Sequence, residues 1–481
     1  YKCRIYFEGD CQEIMFGIRM IECNSNIGFC INGERIILRG GCIHHDNGLL
    51  GACAYAFAEE RKVLLMKKNG YNAIRSAHNP CSKALLDACD KHGMLVLDEY
   101  VDMWYIHKTK YDYSPHVIKN YKHDLKSMID KDYNHPSVVG YVIGNEVSET
   151  AQKKGIDLCA DMVEYCHSLD DTRPVTCGVN IFFNYLSSLG FGVYTDKKAK
   201  KEPKKKVGSE FYNTIAGIFG SKFMKFGATL RGSDRKTRES YEKMDIAGYN
   251  YGILRYKKDL KKYPDRVILG TETFCSDAYE FWELAKKNNA IIGDFVWTAI
   301  DYLGEVGLGA WEYKNYAPDF SHGVGWLTAG TGRIDITGRS LGEMAYTRVA
   351  FELDKIRMAV IPVDTAYDSH SPSAWKMTNA IESWSWTKVE VYARASRIDL
   401  FINDGLVGTK RPKNDCRVVF KVKYYAGEIK AVSYDATDKV IAETILTTAG
   451  NETKLTLAPE NTKGELLYVR LQYTDDAGKI K

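Results

Sequence analysis

Eight short apolar runs alternate with helix-sized amphipathic stretches through the middle of this chain. The runs occupy residues 36–39, 73–75, 95–98, 138–143, 175–177, 246–249, 267–269 and 295–297. Apolar residues recur with helical spacing in the stretches at 58–69, 82–92, 117–133 and 157–168. Strands that alternate with helices indicate a parallel sheet, and eight such units predict an α/β fold with a closed (β/α)8 TIM barrel. An open doubly wound sheet is the alternative, although no GxGxxG motif opens the first unit.

The two ends of the chain differ from this middle part. Residues 3–23 alternate apolar and polar positions as a half-buried strand does, so we expect residues 1–27 to be the remnant of an N-terminal β-sandwich whose earlier part, with any export signal, precedes Tyr1. The catalytic barrel is expected over 28–355, with a Lys-rich insertion near 195–235. Residues 356–481 return to short strands separated by turn residues, which predicts one or two C-terminal immunoglobulin-like β-sandwich modules.

The Lys-rich insertion has a composition unlike the rest of the barrel. Residues 197–206 read Lys-Lys-Ala-Lys-Lys-Glu-Pro-Lys-Lys-Lys, and like charges at this density repel and extend. We expect a solvated loop here, with an acidic partner or a polyanionic substrate as the alternative. Residues 211–230, which follow, are expected to form an amphipathic lid.

The composition narrows the functional classes. The 66 basic residues nearly balance the 62 acidic ones among 481, so nothing indicates a nucleic-acid partner. No run of 18 apolar residues occurs, so no membrane span is expected. The 13 cysteines show neither a CxxC pair nor a zinc-like spacing, which favours reduced thiols, no metal site and a cytoplasmic location. Homo-oligomerisation stays open.

Two of the apolar runs end at a glycine that is closely followed by a glutamate. Residues 141–150 read Tyr-Val-Ile-Gly-Asn-Glu-Val-Ser-Glu-Thr, and residues 267–274 read Val-Ile-Leu-Gly-Thr-Glu-Thr-Phe. Glu146 and Glu272 therefore lie where buried parallel strands meet their loops, and in a closed barrel these ends converge. Two such carboxylates can flank one sugar bond, one as an acid/base with a raised pKa and the other as a nucleophile. The alternative is that each glutamate forms a structural ion pair.

The other predicted strands also end in polar or aromatic residues. Together these residues would form a hydrogen-bonding, anionic and aromatic pocket, which suits a neutral polyol ring. They are His44, His45, Asp46, His78, Asn79, Asp98, Glu99, Asn250, Tyr251, Trp297 and Asp301.

Five segments, in this order along the chain, carry a recognisable pattern. They read Leu-Arg-Gly-Gly-Cys-Ile-His-His-Asp-Asn (38–47), Asn-Ala-Ile-Arg-Ser-Ala-His-Asn-Pro (72–80), Leu-Val-Leu-Asp-Glu (95–99), Asn-His-Pro-Ser-Val-Val-Gly-Tyr-Val-Ile-Gly-Asn-Glu (134–146) and Gly-Thr-Glu-Thr (270–273). They resemble glycoside hydrolase family 2, the β-galactosidase and β-glucuronidase family, over roughly residues 10–350. Residues 384–449 resemble the sandwich modules that follow the barrel in many gut-bacterial members.

The resemblance implies a retaining exo-β-glycosidase that acts by double displacement on a carbohydrate or glycoconjugate and requires no cofactor. It implies that Glu146 is the general acid/base and that Glu272 is the nucleophile. Asn145 would bind the sugar 2-hydroxyl, and Tyr251 would orient Glu272. The remaining residues implied to hold the terminal sugar are His45, Asp46, His78 and Trp297. For all of these helpers the alternative is an ordinary hydrogen-bonding residue of the barrel rim.

The choice of sugar depends on where a cation lies. Family members that cleave glucuronides carry an Asn-x-Lys element shortly after the last barrel strand, whereas residues 329–335 read Ala-Gly-Thr-Gly-Arg-Ile-Asp. We therefore expect β-D-galactosides, with β-glucuronidase as the alternative if Arg333 or Lys314 supplies the charge. Asn120-Tyr121-Lys122 matches the triplet but lies on a predicted helix. A non-catalytic carbohydrate-binding relative is the alternative from another class, and the presence of both glutamates argues against it.

Overall fold

The structure is a computed structural model. It describes residues 1–196, 221–304, 311–313, 328–362, 366–369, 386–423, 425–461 and 464–480. The lysines of the 197–206 block, the first half of the expected lid and Lys314 lie outside these residues.

Eight parallel strands form a closed barrel, which confirms the predicted fold class. Each strand pairs with the next along the chain, and the eighth pairs with the first. Their interiors are almost entirely buried, as expected for parallel strands covered on both faces. In chain order the barrel strands are β6 (Leu38–Ile43), β7 (Ala73–Ser76), β8 (Leu95–Glu99), β9 (Val138–Asn145), β10 (Val175–Asn180), β11 (Ile246–Asn250), β12 (Ile268–Thr273) and β13 (Ile291–Val296).

Helices follow the strands, and the four predicted from apolar spacing are present. The clearest boundary is that of the second, where the Ser82 hydroxyl accepts a bond from Leu85 N–H and Gly93 ends the helix with φ +67°. The helices of this part are α1 (Ala56–Lys68), α2 (Lys83–His92), α3 (Ser114–Asp132), α4 (Lys153–Leu169), α5 (Ile181–Ser188), α6 (Ser221–Ala228), α7 (Arg231–Tyr241), α8 (Tyr256–Lys262) and α9 (Ala278–Lys287).

The first and last barrel strands lie away from their predicted positions. The first begins at Leu38 rather than at residue 36, and the last ends at Val296, so Trp297 follows the strand instead of closing it. The first strand contains two adjacent glycines that interrupt its apolar pattern. Their small size is required, because a Cβ on Gly40 would lie 2.3 Å from the Phe295 ring.

The N-terminal residues form two small antiparallel sheets. The first is a hairpin of β1 (Lys2–Phe7) and β2 (Asp10–Met15), and every residue of both strands is exposed. The residues of this hairpin do not alternate in burial as predicted, whereas residues 21–24 do. The second sheet contains β3 (Ile21–Asn24), β4 (Gly28–Ile31) and β5 (Glu34–Arg35). Assignment of residues 1–27 to a β-sandwich stays a prediction.

The C-terminal part contains two sheets that enclose an apolar core. One sheet has three strands and the other four, and Val389, Leu400 and Phe420 belong to the buried cluster that they share. This part includes α10 (Gly342–Ala350) and the strands β14 (Trp311–Tyr313), β15 (Ile356–Pro362), β16 (Ala366–Ser369), β17 (Trp386–Ala393), β18 (Arg397–Ile402), β19 (Gly405–Lys410), β20 (Arg417–Lys423), β21 (Glu428–Tyr434), β22 (Val440–Thr447), β23 (Lys454–Pro459) and β24 (Val469–Thr474).

Backbone contacts divide the chain into two compact units. The first comprises Tyr1–Phe274 and Glu283–Ala299, and the second comprises Cys275–Trp282 and Ile300–Lys481. All eight barrel strands belong to the first unit, and the paired sheets belong to the second. Among the described helices, none is both long and apolar enough to cross a bilayer.

Candidate active site

Strand register brings four polar residues together at the carboxyl ends of β9 to β12. Asn145 is in register with Gly178 of the next strand, Asn180 is paired with Asn250, and Asn250 is paired with Glu272. Because parallel strands of a barrel end at one face, these side chains share one pocket.

Glu146 directly follows β9 in an uncommon backbone conformation. Its φ is +43°, in the left-handed region where a residue with a Cβ needs support from its surroundings. The Glu146 N–H donates to the carbonyl of Gly178 at 2.7 Å, which ties this residue to the neighbouring strand. The backbone of Glu146 is therefore held by the barrel sheet, which fixes the position from which its side chain extends.

Burial and a neighbouring negative charge set the charge state of Glu146, against the opposing effect of two neutral amides. Its Oε1 accepts bonds from Asn180 Nδ2 at 2.8 Å and from Asn250 Nδ2 at 3.2 Å. Burial, reinforced by the negative charge of Glu272, raises the pKa of Glu146 to about 7. A carboxylic acid that stays protonated near neutral pH can donate a proton to a leaving group.

Glu272 has a different environment, in which both carboxylate oxygens are held. Oε1 accepts a bond from Arg75 Nη1 at 3.0 Å, and Oε2 accepts one from the Tyr251 hydroxyl at 3.0 Å. A charged donor binds one oxygen, and the phenol fixes the orientation of the other oxygen. Two carboxylates with such unlike surroundings are suited to the roles of acid/base and nucleophile.

Arg75 connects most of this cluster and was not predicted as a site residue. Its guanidinium lies 2.7 Å from Glu99 Oε2, donates to Glu272, and donates through Nη2 to Asn145 Oδ1 at 3.0 Å. The side chain is fully buried. A buried arginine that binds two carboxylates and an amide fixes four strands in one arrangement. The sequence did contain a signal for Arg75, because a charged residue inside a predicted buried strand is expected to have a partner or a function.

Aromatic rings form one wall of the pocket. The ring of His78 stacks on Trp297 with centroids 5.1 Å apart and planes 5° apart, and Nδ1 of His78 lies 3.0 Å from Glu99 Oε1. His44 stands edge-on to Trp297 at 5.3 Å. The structure thus brings His44 to this wall, whereas the sequence analysis favoured His45, which is exposed. The half-buried Asp46 accepts a bond from Gly48 N–H at 3.3 Å.

Two of the elements considered for pairing with a sugar carboxylate, Arg333 and the Asn120-Tyr121-Lys122 triplet, fall within the described residues. Arg333 is 1% exposed in the second unit and lies near Cys275, where its charge opposes the burial that raises the pKa of that thiol to about 11. Asn120-Tyr121-Lys122 lies on α3, as the sequence predicted, and there the Tyr121 hydroxyl bonds to Asp161.

The chain is thus a (β/α)8 protein in which two carboxylates with different hydrogen-bond partners lie at the carboxyl ends of the barrel strands. Residues 24–222 match the TIM barrel domain model of glycosyl hydrolases family 2, and residues 385–442 match a domain of unknown function. The chain belongs to glycosyl hydrolase family 2.

Several known proteins are similar to this chain over most of its length. "Beta-galactosidase BoGH2A" of Bacteroides ovatus is 27% identical and is matched over 96% of this chain and 55% of its own length. A "putative beta-glucuronidase" of Formosa agariphila is 27% identical over 92% of this chain and 40% of its own length. A solved family 2 member from Bacteroides cellulosilyticus has a TM-score of 0.80 at 32% identity, covering 100% of this chain and 57% of the other. The chain thus spans about half the length of these relatives.

Proposed function

We propose that the chain carries the active site of a retaining exo-β-glycosidase that releases terminal β-linked sugars, β-D-galactosides first. The observation that carries the proposal is the contrast between Glu146, bonded to neutral amides with a pKa near 7, and Glu272, bonded to a guanidinium. No cofactor takes part in the proposed chemistry. β-Glucuronidase activity and carbohydrate binding without catalysis are the alternatives.

The reaction has two displacements at the anomeric carbon. First, a Glu272 oxygen bonds to that carbon while the glycosidic bond breaks, and Glu146 transfers its proton to the departing oxygen. Then Glu146, now ionised, removes a proton from water, whose oxygen replaces Glu272 at the same carbon. Asn145 is proposed to bind the 2-hydroxyl, and His45, Asp46, His78 and Trp297 to hold the rest of the sugar.

The direct test is hydrolysis of a panel of aryl β-glycosides by the purified chain, followed by proton NMR. A retaining enzyme releases the β-anomer first, before mutarotation produces the α-anomer. First release of the α-anomer would exclude double displacement. Binding of the sugar without any turnover of the panel would favour the non-catalytic alternative.

We expect an aryl β-galactoside to be preferred over the matching glucuronide by at least about tenfold in kcat/KM, which corresponds to only about 1.4 kcal/mol. Among the described residues, the cations that contact the glutamate cluster already have partners: Arg75 pairs with Glu99 and Glu272, and Lys108 pairs with Asp102. A sugar carboxylate in this pocket would therefore lose its hydration without gaining a free cation. A faster glucuronide would instead support the β-glucuronidase alternative.

The pH dependence should show the titration of Glu146. The first displacement needs the protonated form, so kcat/KM for an aryl glycoside with a poor leaving group should fall as pH rises above about 7. The fall should approach tenfold per pH unit, because the reactive fraction declines in that proportion. Rates measured from pH 5 to 9 test this, and a constant kcat/KM above pH 7 would contradict the role assigned to Glu146.

The cysteines support one further proposal, a reducing location such as the cytoplasm. None of the 13 cysteines takes part in a disulfide in the described structure, and most are buried, as is typical of structural reduced thiols. Mass spectrometry of the protein after alkylation under native purification conditions would test it.

A further inference from the structure

One buried lysine lies beside the proposed acid/base without having been predicted as a site residue. Lys108 Nζ is 2.6 Å from Asp102 Oδ1 and donates to the backbone carbonyl of Asn145 at 2.9 Å. Its side chain is 8% exposed, and Nζ lies 4.9 Å from the centre of the Tyr194 ring. A lysine buried to this extent is found with a partner or a task.

The bond to Asn145 falls on the peptide that leads into Glu146. The carbonyl of this peptide accepts from Lys108, while its N–H, which belongs to Glu146, donates to Gly178. The peptide is thus held at both ends immediately before a residue with φ +43°. Such a backbone conformation persists only where the surroundings enforce it.

Lys108 also holds the side chain of Asn145, through Asp102. The Asp102 oxygen that binds Lys108 accepts a second bond from Asn145 Nδ2 at 3.1 Å. This contact orients the amide so that its oxygen faces Arg75 and Asn250. The ammonium group therefore contacts the main chain of the residue before Glu146 directly and its side chain through Asp102.

The loop that carries Lys108 is fixed at several points. Glu149 accepts bonds from the N–H groups of Tyr105 and Ile106 at 2.9 and 2.8 Å. Asp112 accepts the N–H of Lys108 itself at 2.6 Å, and Asp196 accepts that of His107 at 3.1 Å. A loop held by three carboxylates presents its lysine in a defined position.

We propose that Lys108 is a positioning residue for the acid/base, which holds the Asn145–Glu146 peptide and the Asn145 amide in the arrangement that proton transfer requires. This inference rests on the proposed function and adds a residue that acts through Glu146 rather than on the substrate.

The same ammonium acts on Glu146 electrostatically. The groups that face Glu146 are Glu272 from β12, Tyr251 after β11, the neutral amides of Asn180 and Asn250, and Lys108 from the loop after β8. Burial and Glu272 raise the pKa of Glu146, and the charge of Lys108 opposes them. Removing Lys108 would leave Asp102 as an additional negative charge, so both changes act in the same direction.

The test compares Lys108→Met with Lys108→Arg and with wild type. For Lys108→Met we expect the basic limb of the kcat/KM profile to move upward by about one pH unit. At pH 6 we expect a loss of about 10- to 100-fold in kcat/KM for a phenyl glycoside but less than about threefold for the dinitrophenyl glycoside, which needs no protonation. Lys108→Arg keeps the charge and should keep the wild-type limb.

Lys131→Met is the matched control, because Lys131 also pairs with a buried aspartate, Asp98, but makes no contact with either glutamate in the described structure. It should leave both the limb and the ratio of the two substrates unchanged. If Lys108→Met does not fold, Lys108→Gln, which keeps an N–H donor, carries the same expectations. An unchanged limb, or equal losses on both substrates, would overturn the inference.

Different results would contradict the acid/base role of Glu146 and the positioning role of Lys108. If Glu146→Gln shows no dependence on the leaving group, the proposed function itself fails. If Glu146 behaves as the acid/base while Lys108→Met keeps the wild-type limb and substrate ratio, only the role of Lys108 is wrong.

Discussion

Glu272→Gln is expected to lower kcat by at least about 10⁴-fold on every β-glycoside, whatever its leaving group. An amide cannot form the glycosyl ester through which the first displacement proceeds. The fold should tolerate the change, since the glutamine oxygen can still accept the bond from Arg75 while its NH2 group donates to the Tyr251 hydroxyl oxygen. Initial rates of the purified variant, with thermal unfolding to confirm its fold, measure the effect.

The nucleophile can also be identified directly. A 2-deoxy-2-fluoro aryl β-galactoside with a good leaving group should trap the ester. The fluorine slows both displacements, but the good leaving group keeps the first one fast, so the ester forms and then hydrolyses slowly. Peptide mass spectrometry should then find the sugar on Glu272. Glu283→Gln, on the helix after the same strand, is the matched control and should retain wild-type turnover. Label on another carboxylate would reassign the nucleophile.

The barrel could be predicted because most of its strands are continuous apolar runs. β9 and β12 are buried along their whole length, so their sequences contain few residues that could be mistaken for loops. The predicted positions of β6 and β13 differed from the observed ones because Gly40, Gly41 and Asp294 interrupt the apolar pattern. The two glycines are required by the close approach of Phe295 to Gly40 and of Ala299 to Gly41, which periodicity does not express.

The candidate site was predictable to the extent that it follows strand ends. This reasoning identified Glu146, Glu272 and Tyr251, which the structure brings into one pocket. Asn180 was missed because the predicted fifth strand stopped at residue 177, three residues before the observed end. Lys108 was missed for another reason: it meets Asn145, and its loop meets Glu149, only through bonds between residues 37 and 44 positions apart, which leave no local pattern in the sequence.

Unequal environments matter more for the mechanism than the presence of two carboxylates. If Glu146 had the guanidinium that Glu272 has, its pKa would be held low and it would not supply a proton at neutral pH. Arg75 reaches Glu272 and Asn145 but not Glu146, whose direct partners are Asn180 and Asn250. The position of this single arginine thus accounts for the two different roles that we propose.

Glu146→Gln is expected to have an effect that depends on the leaving group. With a phenyl glycoside, which must be protonated as it departs, kcat/KM should fall by at least about 10³-fold, whereas a dinitrophenyl glycoside should lose less than about tenfold in this first step. The second step then becomes limiting, because no base activates water. Azide needs no base, so its addition should restore turnover and yield the β-glycosyl azide. Glu149→Gln is the matched control, since Glu149 lies three residues away and binds the N–H groups of Tyr105 and Ile106. If Glu149→Gln shows azide rescue and Glu146→Gln does not, the acid/base has been assigned to the wrong carboxylate.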